Sequence, residues 1–556
     1  MAVIVVSNMV NLPDSGSSLP AWLLRCFARI GQLGMFSLII RLAHQGSAPQ
    51  GGTSVRPGPR LGHRRENRYR PAGQRSTRSD RPIGQGVLTF RPSRAARGNE
   101  VVRSRTAVRQ NAVMPTALRL HAPMALPCDA TCAVVRDAVV DVDDTGRISY
   151  CGPRRGAPER SNDVVVRECG GILLPGLINA HAHSPMTLLR GMGADLPLLR
   201  WLNEVIFPAE ARLRPSDVRA GMELGCVEML RAGITTSAEM YFIAESMVEA
   251  TLAVGSRAVL ASAVIDTPAL EALGGWRGAV EGVDRWIDAD GLRFGPGERI
   301  ELAYGPHSAY LLPPEALQAI GESAQQRNAL VHTHVAETLA EDTAQREEYG
   351  SVPALLDKLG VLEGRVVAAH GVHLSDEDIV LFARRGVGVA HCPGSNAKLA
   401  SGTARLVELL AAGVPVGLGT DGPSSNDDLD LWEEVQLAGL FARTVTGDAT
   451  ALSARAALLA ATRGGAEALH RDDIGALEPG RWADIVHLDV DNPAFATGLD
   501  APDEQVLSNV VWAAGSRSVR DVWVAGEEVL NDREPTRVDR RTVQAAARTA
   551  ALHVRG

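Results

Sequence analysis

Lysine is almost missing from this chain: Lys358 and Lys398 are the only two in 556 residues. Cysteine is sparse, at seven, and scattered, and Cys128 and Cys132 have no second close pair to complete a zinc knuckle. Such usage fits a protein of the reducing cytoplasm. A long unbroken apolar run is also missing. The stretch from Leu19 to Leu42 is interrupted by Arg25, Arg29 and Arg41, and residues 1–19 carry no basic leader. Both features argue against a membrane span or an export signal, so no membrane partner is expected.

The charge that is present is unevenly spread. Residues 1–113 hold 18 Arg against four acids, a net of +14, which leaves the remainder of the chain at −22. A basic arm can bind nucleic acid, but this one lacks periodicity and interleaved aromatic residues, and Gly, Pro, Ser and Arg dominate positions 46–98. It reads as a disordered extension with no nucleic-acid partner. The functional protein is expected to begin near Met114. With 45% hydrophobic residues in 59.0 kDa, the rest can bury one large domain and a smaller one.

Eight apolar, β-branched runs alternate with helical patterns: 176–181, 234–240, 258–265, 300–305, 330–336, 366–371, 387–392 and 414–420. Eight βα units over this length predict an α/β fold, a TIM-type (β/α)8 barrel with its chemistry at the C-terminal strand ends. The alternative, a doubly wound open sheet, lacks the G-x-G-x-x-G loop after its first strand. Short strands with turns occupy Ala117 to Gly176 and return in IGALEPGRWADIVHLDV and VRDVWVAGEEVLND. The two flanks are expected to meet as one small β-sandwich, which would otherwise keep unpaired edges. The expected division is a basic extension over 1–113, sandwich over 114–175 and 471–545, barrel over 176–470 and a tail over 546–556.

Eight of the fourteen histidines fall between 181 and 391, most at predicted strand ends. A lone strand-end histidine is usually structural; several strand ends sharing the pattern point to a site. His181 and His183 form an H-x-H pair on one face of a strand, able to reach a single ion. HTHVAET offers His332 and His334, and spacing alone allows either as a further ligand. Asp421 ends the eighth run. Three neutral imidazoles and a carboxylate suit Zn2+, with Fe2+ as the alternative. The scarcity of lysine argues for one ion, because a carbamylated lysine that bridges two ions has no candidate in the middle strands. Glu337, three residues past His334, is placed to move protons to and from water. Read alone, it could equally be a helix N-terminal acid complementing the dipole. His370 in AAHGVHL is placed to orient that water.

The motifs PGLINAHAHSPMTLLRGMGADLPLLRWL, YGPHSAY, HTHVAET, AAHGVHL, HCPGSNAKLASG and GTDGPSSNDDLD, in this order, resemble those of methylthioadenosine/S-adenosylhomocysteine deaminases of the amidohydrolase superfamily. The resemblance spans about residues 117 to 545. It implies that His181, His183, His334 and Asp421 hold the metal, choosing His334 over His332, with Glu337 as proton shuttle and His370 beside the water. It further implies that Trp201, Glu210 and His307 meet the substrate, Glu210 accepting from ribose hydroxyls. Arg277 is expected to serve a substrate carboxylate, while Ser262 stands where a second arginine is expected. The implied activity is deamination of an adenine nucleoside to the inosine analogue by a homo-oligomeric cytoplasmic enzyme. Triazine hydrolases and guanine-type deaminases share the same framework and are the alternatives, and a non-catalytic scaffold is the reading from another class.

Overall fold

The structure, a computed structural model, describes residues 117–159, 162–266 and 274–556. The basic segment 1–113, read above as disordered, lies outside the described residues. Five short strands open the described chain: β1 (Leu118–Ala125), β2 (Val135–Val142), β3 (Ile148–Pro153), β4 (Val165–Glu168) and β5 (Ile172–Pro175). In β1, Leu118, Leu120, Ala122 and Met124 are buried while the residues between them reach the surface. That period of two is what a strand with one covered face requires.

The chain then enters a parallel sheet: β6 (Leu177–Ala182), β7 (Ile234–Tyr241), β8 (Arg257–Val264), β10 (Ile300–Pro306), β11 (Leu330–Val335), β12 (Arg365–His370), β13 (Gly388–His391) and β14 (Val416–Leu418), with the two-residue β9 (Arg293–Phe294) antiparallel to β10. The strands pair in sequence order. Each expected run holds one of these eight strands, offset by no more than two or three residues at the ends. Most are buried along their whole length, as strands covered on both faces must be. Alanines at 180, 238, 261, 303 and 390 pack with Val259 and Val367 in one cluster, and their small size lets the strands close. Closure itself is a backbone contact: the Asp421 N–H donates to the carbonyl of His181 at 3.0 Å. Helices α1 (Pro215–Arg231), α2 (Ala244–Val254), α3 (Gly275–Asp290), α4 (Pro314–Arg327), α5 (Leu339–Tyr349), α6 (Asp376–Arg385) and α7 (Leu431–Thr446) connect and flank the strands. In α6 a capping box between Ser375 and Asp378 fixes the start, and Ile379 and Phe382 form the buried face.

After the barrel come β15 (Ile485–Leu488), β16 (Val519–Val524), β17 (Glu527–Asn531) and β18 (Glu534–Pro535). They join the opening strands in one nine-stranded sheet, β15 lying antiparallel to β5 with Ile485 opposite Pro175. The flanks therefore meet, as the sequence predicts. They do so by curling one continuous sheet around a shared core of Leu120, Val140, Ile148, Leu173, Ile485 and Trp523.

A buried ion pair fastens this sheet to the barrel. Arg257, at the start of β8, donates Nε and Nη2 to Asp484 at 2.8 and 3.0 Å and Nη1 to the carbonyls of Gly297 and Glu298. Asp484 also accepts from the Ala525 N–H at 2.8 Å. Because the guanidinium is fully buried, removing its partner leaves a stranded charge. Asp484→Ala is expected to lose about 3–5 kcal/mol in urea denaturation; a loss below about 1 kcal/mol contradicts this role for the pair.

Candidate metal and catalytic site

Parallel strands deliver their C-terminal ends to one mouth of a barrel. There β6 brings His181 and the following His183, β11 brings His332 and His334, β12 brings His370, and the turn after β14 brings Asp421. The Nε2 atoms of His181 and His183 lie 3.3 and 3.2 Å from Asp421 Oδ1. His183 Nε2 and His334 Nε2 are 3.3 Å apart. His181, His334 and His370 also place ligand atoms within 4.8 Å of one another.

Hydrogen bonds behind the rings fix what faces forward. His183 Nδ1 meets the carbonyl of Met240 at 2.5 Å, and His334 Nδ1 meets that of His307 at 2.7 Å. A carbonyl only accepts, so both Nδ1 atoms carry the proton and both Nε2 atoms present lone pairs. Two such lone pairs at 3.3 Å cannot bond each other. His181 repeats the arrangement with Nδ1 2.8 Å from His332 Nε2. Its own Nε2 is buried without a hydrogen-bond partner. His332 thus sits behind His181 and away from the shared point, which separates it from His334 where spacing could not. Burial pushes His181 down to about 3 and His334 well below the ordinary histidine range, so both are neutral. Burial opposes ionisation of Asp421 as well, but the adjacent His181 and His183 rings hold its carboxyl well below the usual range. Three lone-pair nitrogens and an ionised oxygen crowded at one point fit a divalent metal.

Asp421 is tied down from its far side. Its Oδ2 accepts from Ser395 Oγ at 2.6 Å and Ser425 Oγ at 2.9 Å, leaving Oδ1 for the imidazoles. His370 Nδ1 donates to Asn396 Oδ1 at 2.9 Å, and its Nε2 stands 4.0 Å from Glu337 Oε2. Asp421, His370 and Ala336 all hold left-handed backbone, with φ of 60°, 72° and 49°. Strain of about 1–3 kcal/mol each is kept where the surroundings over-determine it, and it collects at functional sites. Gly419 marks a second constraint, since a Cβ there would meet His181 Cβ at 2.9 Å and Cys392 Sγ at 3.0 Å.

Glu239, Ser395, Asn396 and Ser425 have no place in the sequence reading. Glu239, wholly buried in β7, accepts from Ser184 N and Oγ at 2.8 and 2.6 Å and fixes the turn behind His183. An acid inside the apolar run ITTSAEMY was the available signal. The other three lie in SNAK and GPSSN, segments that spacing alone assigns no role.

A cavity opens over these groups. Trp201, Glu210 and His307 line it together with His183, His334, Glu337, His370 and Asp421. Burial pushes Glu210 up to about 7. Burial also raises Glu337, opposed by the nearby His370. Arg277 does not line the cavity: it sits on α3 with its guanidinium carbon 4.1 Å from the Trp276 ring centroid.

The amidohydrolase family model matches residues 172–529. The chain belongs to the amidohydrolase family. A 5-methylthioadenosine/S-adenosylhomocysteine deaminase of Pelotomaculum thermopropionicum is 38% identical over 446 residues, 79% of this chain and 97% of that protein. A 5'-deoxyadenosine deaminase of Methanosarcina mazei is 37% identical, covering 77% of this chain and 95% of its own length. Among solved structures, an adenosine deaminase of Xanthomonas campestris with bound zinc superposes with a TM-score of 0.71 at 37% identity, over 79% of this chain and 99% of that one. A zinc-complexed atrazine chlorohydrolase of Arthrobacter aurescens gives a TM-score of 0.71 at 26% identity, over 78% and 100%.

The hydroxyls behind Asp421 should tune the metal without touching it. In a competition titration against a chelator, Ser395→Ala is expected to weaken zinc binding by about 10–100-fold. Unchanged affinity contradicts the positioning of Asp421 by Ser395.

Proposed function

We propose that this chain is a metal-dependent aminohydrolase that deaminates an adenine nucleoside, such as methylthioadenosine, S-adenosylhomocysteine or adenosine, to its inosine analogue with release of ammonia. The observation that carries the reading is a buried carboxylate, Glu337, next to a three-imidazole, one-carboxylate cluster at the floor of a cavity. The named relatives support the same chemistry.

His181, His183, His334 and Asp421 hold the ion. Zinc is the proposed metal, because the donor set suits it and the solved neighbours contain it; Fe2+ is the alternative. When bound, such an ion lowers the pKa of water toward neutrality. With its Nδ1 proton given to Asn396, His370 presents Nε2 as an acceptor that orients the attacking water. Glu337 removes a proton from that water as its oxygen adds to C6 of the adenine ring, and returns it to N1. The remaining hydroxyl proton passes to the exocyclic nitrogen as its bond to C6 breaks and the C6 carbonyl forms, so that water and nucleoside give the inosine analogue and ammonia. A carboxyl raised by burial suits a group that must take and return a proton near neutral pH. Asp421, ionised and aimed by Ser395 and Ser425, assists in proton relay. Glu210 accepts from the ribose hydroxyls, and Trp201 and His307 bound the nucleoside from the cavity wall.

Among the described residues no helix is long and apolar enough to cross a membrane. The six described cysteines are all free thiols, which supports a cytoplasmic location.

Glu337→Gln keeps the shape and removes the base. Its kcat is expected to fall by about 10²–10⁴-fold or more while metal content by elemental analysis stays that of the parent. Full turnover in this variant contradicts the shuttle.

A further inference from the structure

Among the described residues the cavity wall carries acids and imidazoles but no basic side chain of lysine or arginine. Glu210, Glu337 and Asp421 line it, and among the described residues no lysine or arginine does. Neighbouring basic groups are engaged elsewhere. Lys398, next to the lining residue Leu399, binds Asp427 at 2.7 Å and the carbonyl of Ser424 at 3.3 Å. Arg200, next to Trp201, pairs with Glu204 at 2.8 Å. Arg277, expected to meet a substrate carboxylate, faces Trp276. Residues 267–273, outside the described ones, contain neither lysine nor arginine. Much of the remaining wall is apolar, formed by Leu202, Ile206, Phe207, Met240 and Phe242.

The nucleosides in the relatives' names differ at one end. Methylthioadenosine carries an uncharged thioether there; S-adenosylhomocysteine carries an amino acid whose carboxylate and ammonium are both ionised at neutral pH. Drawing a carboxylate into an apolar wall strips its water, and without a cation or a set of donors nothing offsets that cost. An adenosine 5'-phosphate meets the same obstacle with more charge.

On the deaminase reading above, we infer that this active site selects adenine nucleosides with an uncharged 5' substituent and excludes those whose 5' substituent bears a carboxylate or phosphate. The specificity device is the apolar wall, which among the described residues offers no lysine or arginine. Methylthioadenosine, 5'-deoxyadenosine and adenosine form the accepted class; S-adenosylhomocysteine and adenosine 5'-phosphate form the refused one.

Steady-state deamination by the zinc-loaded full chain tests this, with each of the five compounds followed by the loss of adenine absorbance. The expected result is a kcat/KM for methylthioadenosine above that for S-adenosylhomocysteine and for adenosine 5'-phosphate by more than about tenfold. The loss should be carried by KM, because the substituent lies away from the reacting carbon. An anionic compound within tenfold of methylthioadenosine overturns the selection while leaving the deaminase reading in place. Turnover of guanine or atrazine with none of the five adenine compounds removes the deaminase reading and this inference together.

Discussion

A carboxylate buried among imidazoles is held in place only if something positive joins it. Asp421 is such a group: its Oδ1 lies within 3.3 Å of two imidazole nitrogens, one of them with no other partner. Burial keeps His181 and His334 neutral, whereas for His183 the burial is outweighed by Asp421, which raises it. A divalent cation resolves the electrostatics, and most of the surrounding architecture serves to hold the donors ready for it. Carbonyls of Met240 and His307 set the tautomers, serines 395 and 425 turn the carboxylate, and Glu239 anchors the turn after His183.

The same backbone that closes the barrel aims these donors. The Asp421 N–H on the His181 carbonyl joins the last strand to the first, so losing closure would also separate two of the proposed ligands. Positive φ at Asp421 and His370 points in the same direction: the fold holds local strain where chemistry needs a side chain aimed off the regular strand path. Away from this mouth, the Arg257–Asp484 pair binds the barrel to the flanking sheet. The far side of the molecule is thereby fixed without drawing on the catalytic end.

Much of this was legible in the sequence, for reasons tied to particular residues. Parallel strands buried on both faces leave continuous apolar runs, and a histidine at the end of such a run stands out. His181, His183, His334, His370 and Asp421 were therefore visible one by one. What periodicity does not encode is which way a ring on a two-residue repeat points. By spacing alone His332 and His334 were equivalent and only the resemblance chose His334; the His181 contact sets the first behind the cluster, and the His307 carbonyl fixes the ring of the second. Supporting hydroxyls and amides were invisible because serine and asparagine in a loop carry no pattern. The flanks read correctly as strands, but their joining into one curled sheet depends on β15 meeting β5, a long-range pairing that no local signal records. Arg277 was an expectation from resemblance alone, and its guanidinium lies over the Trp276 ring.

The central claim is that His181, His183, His334 and Asp421 share a single ion. X-ray absorption spectroscopy of the zinc-loaded protein tests it most directly. The account predicts a first shell of nitrogen and oxygen at about 2.0–2.2 Å with imidazole scattering from three rings, reduced to two in His334→Ala. A spectrum dominated by sulfur, or one unchanged by that substitution, would contradict it.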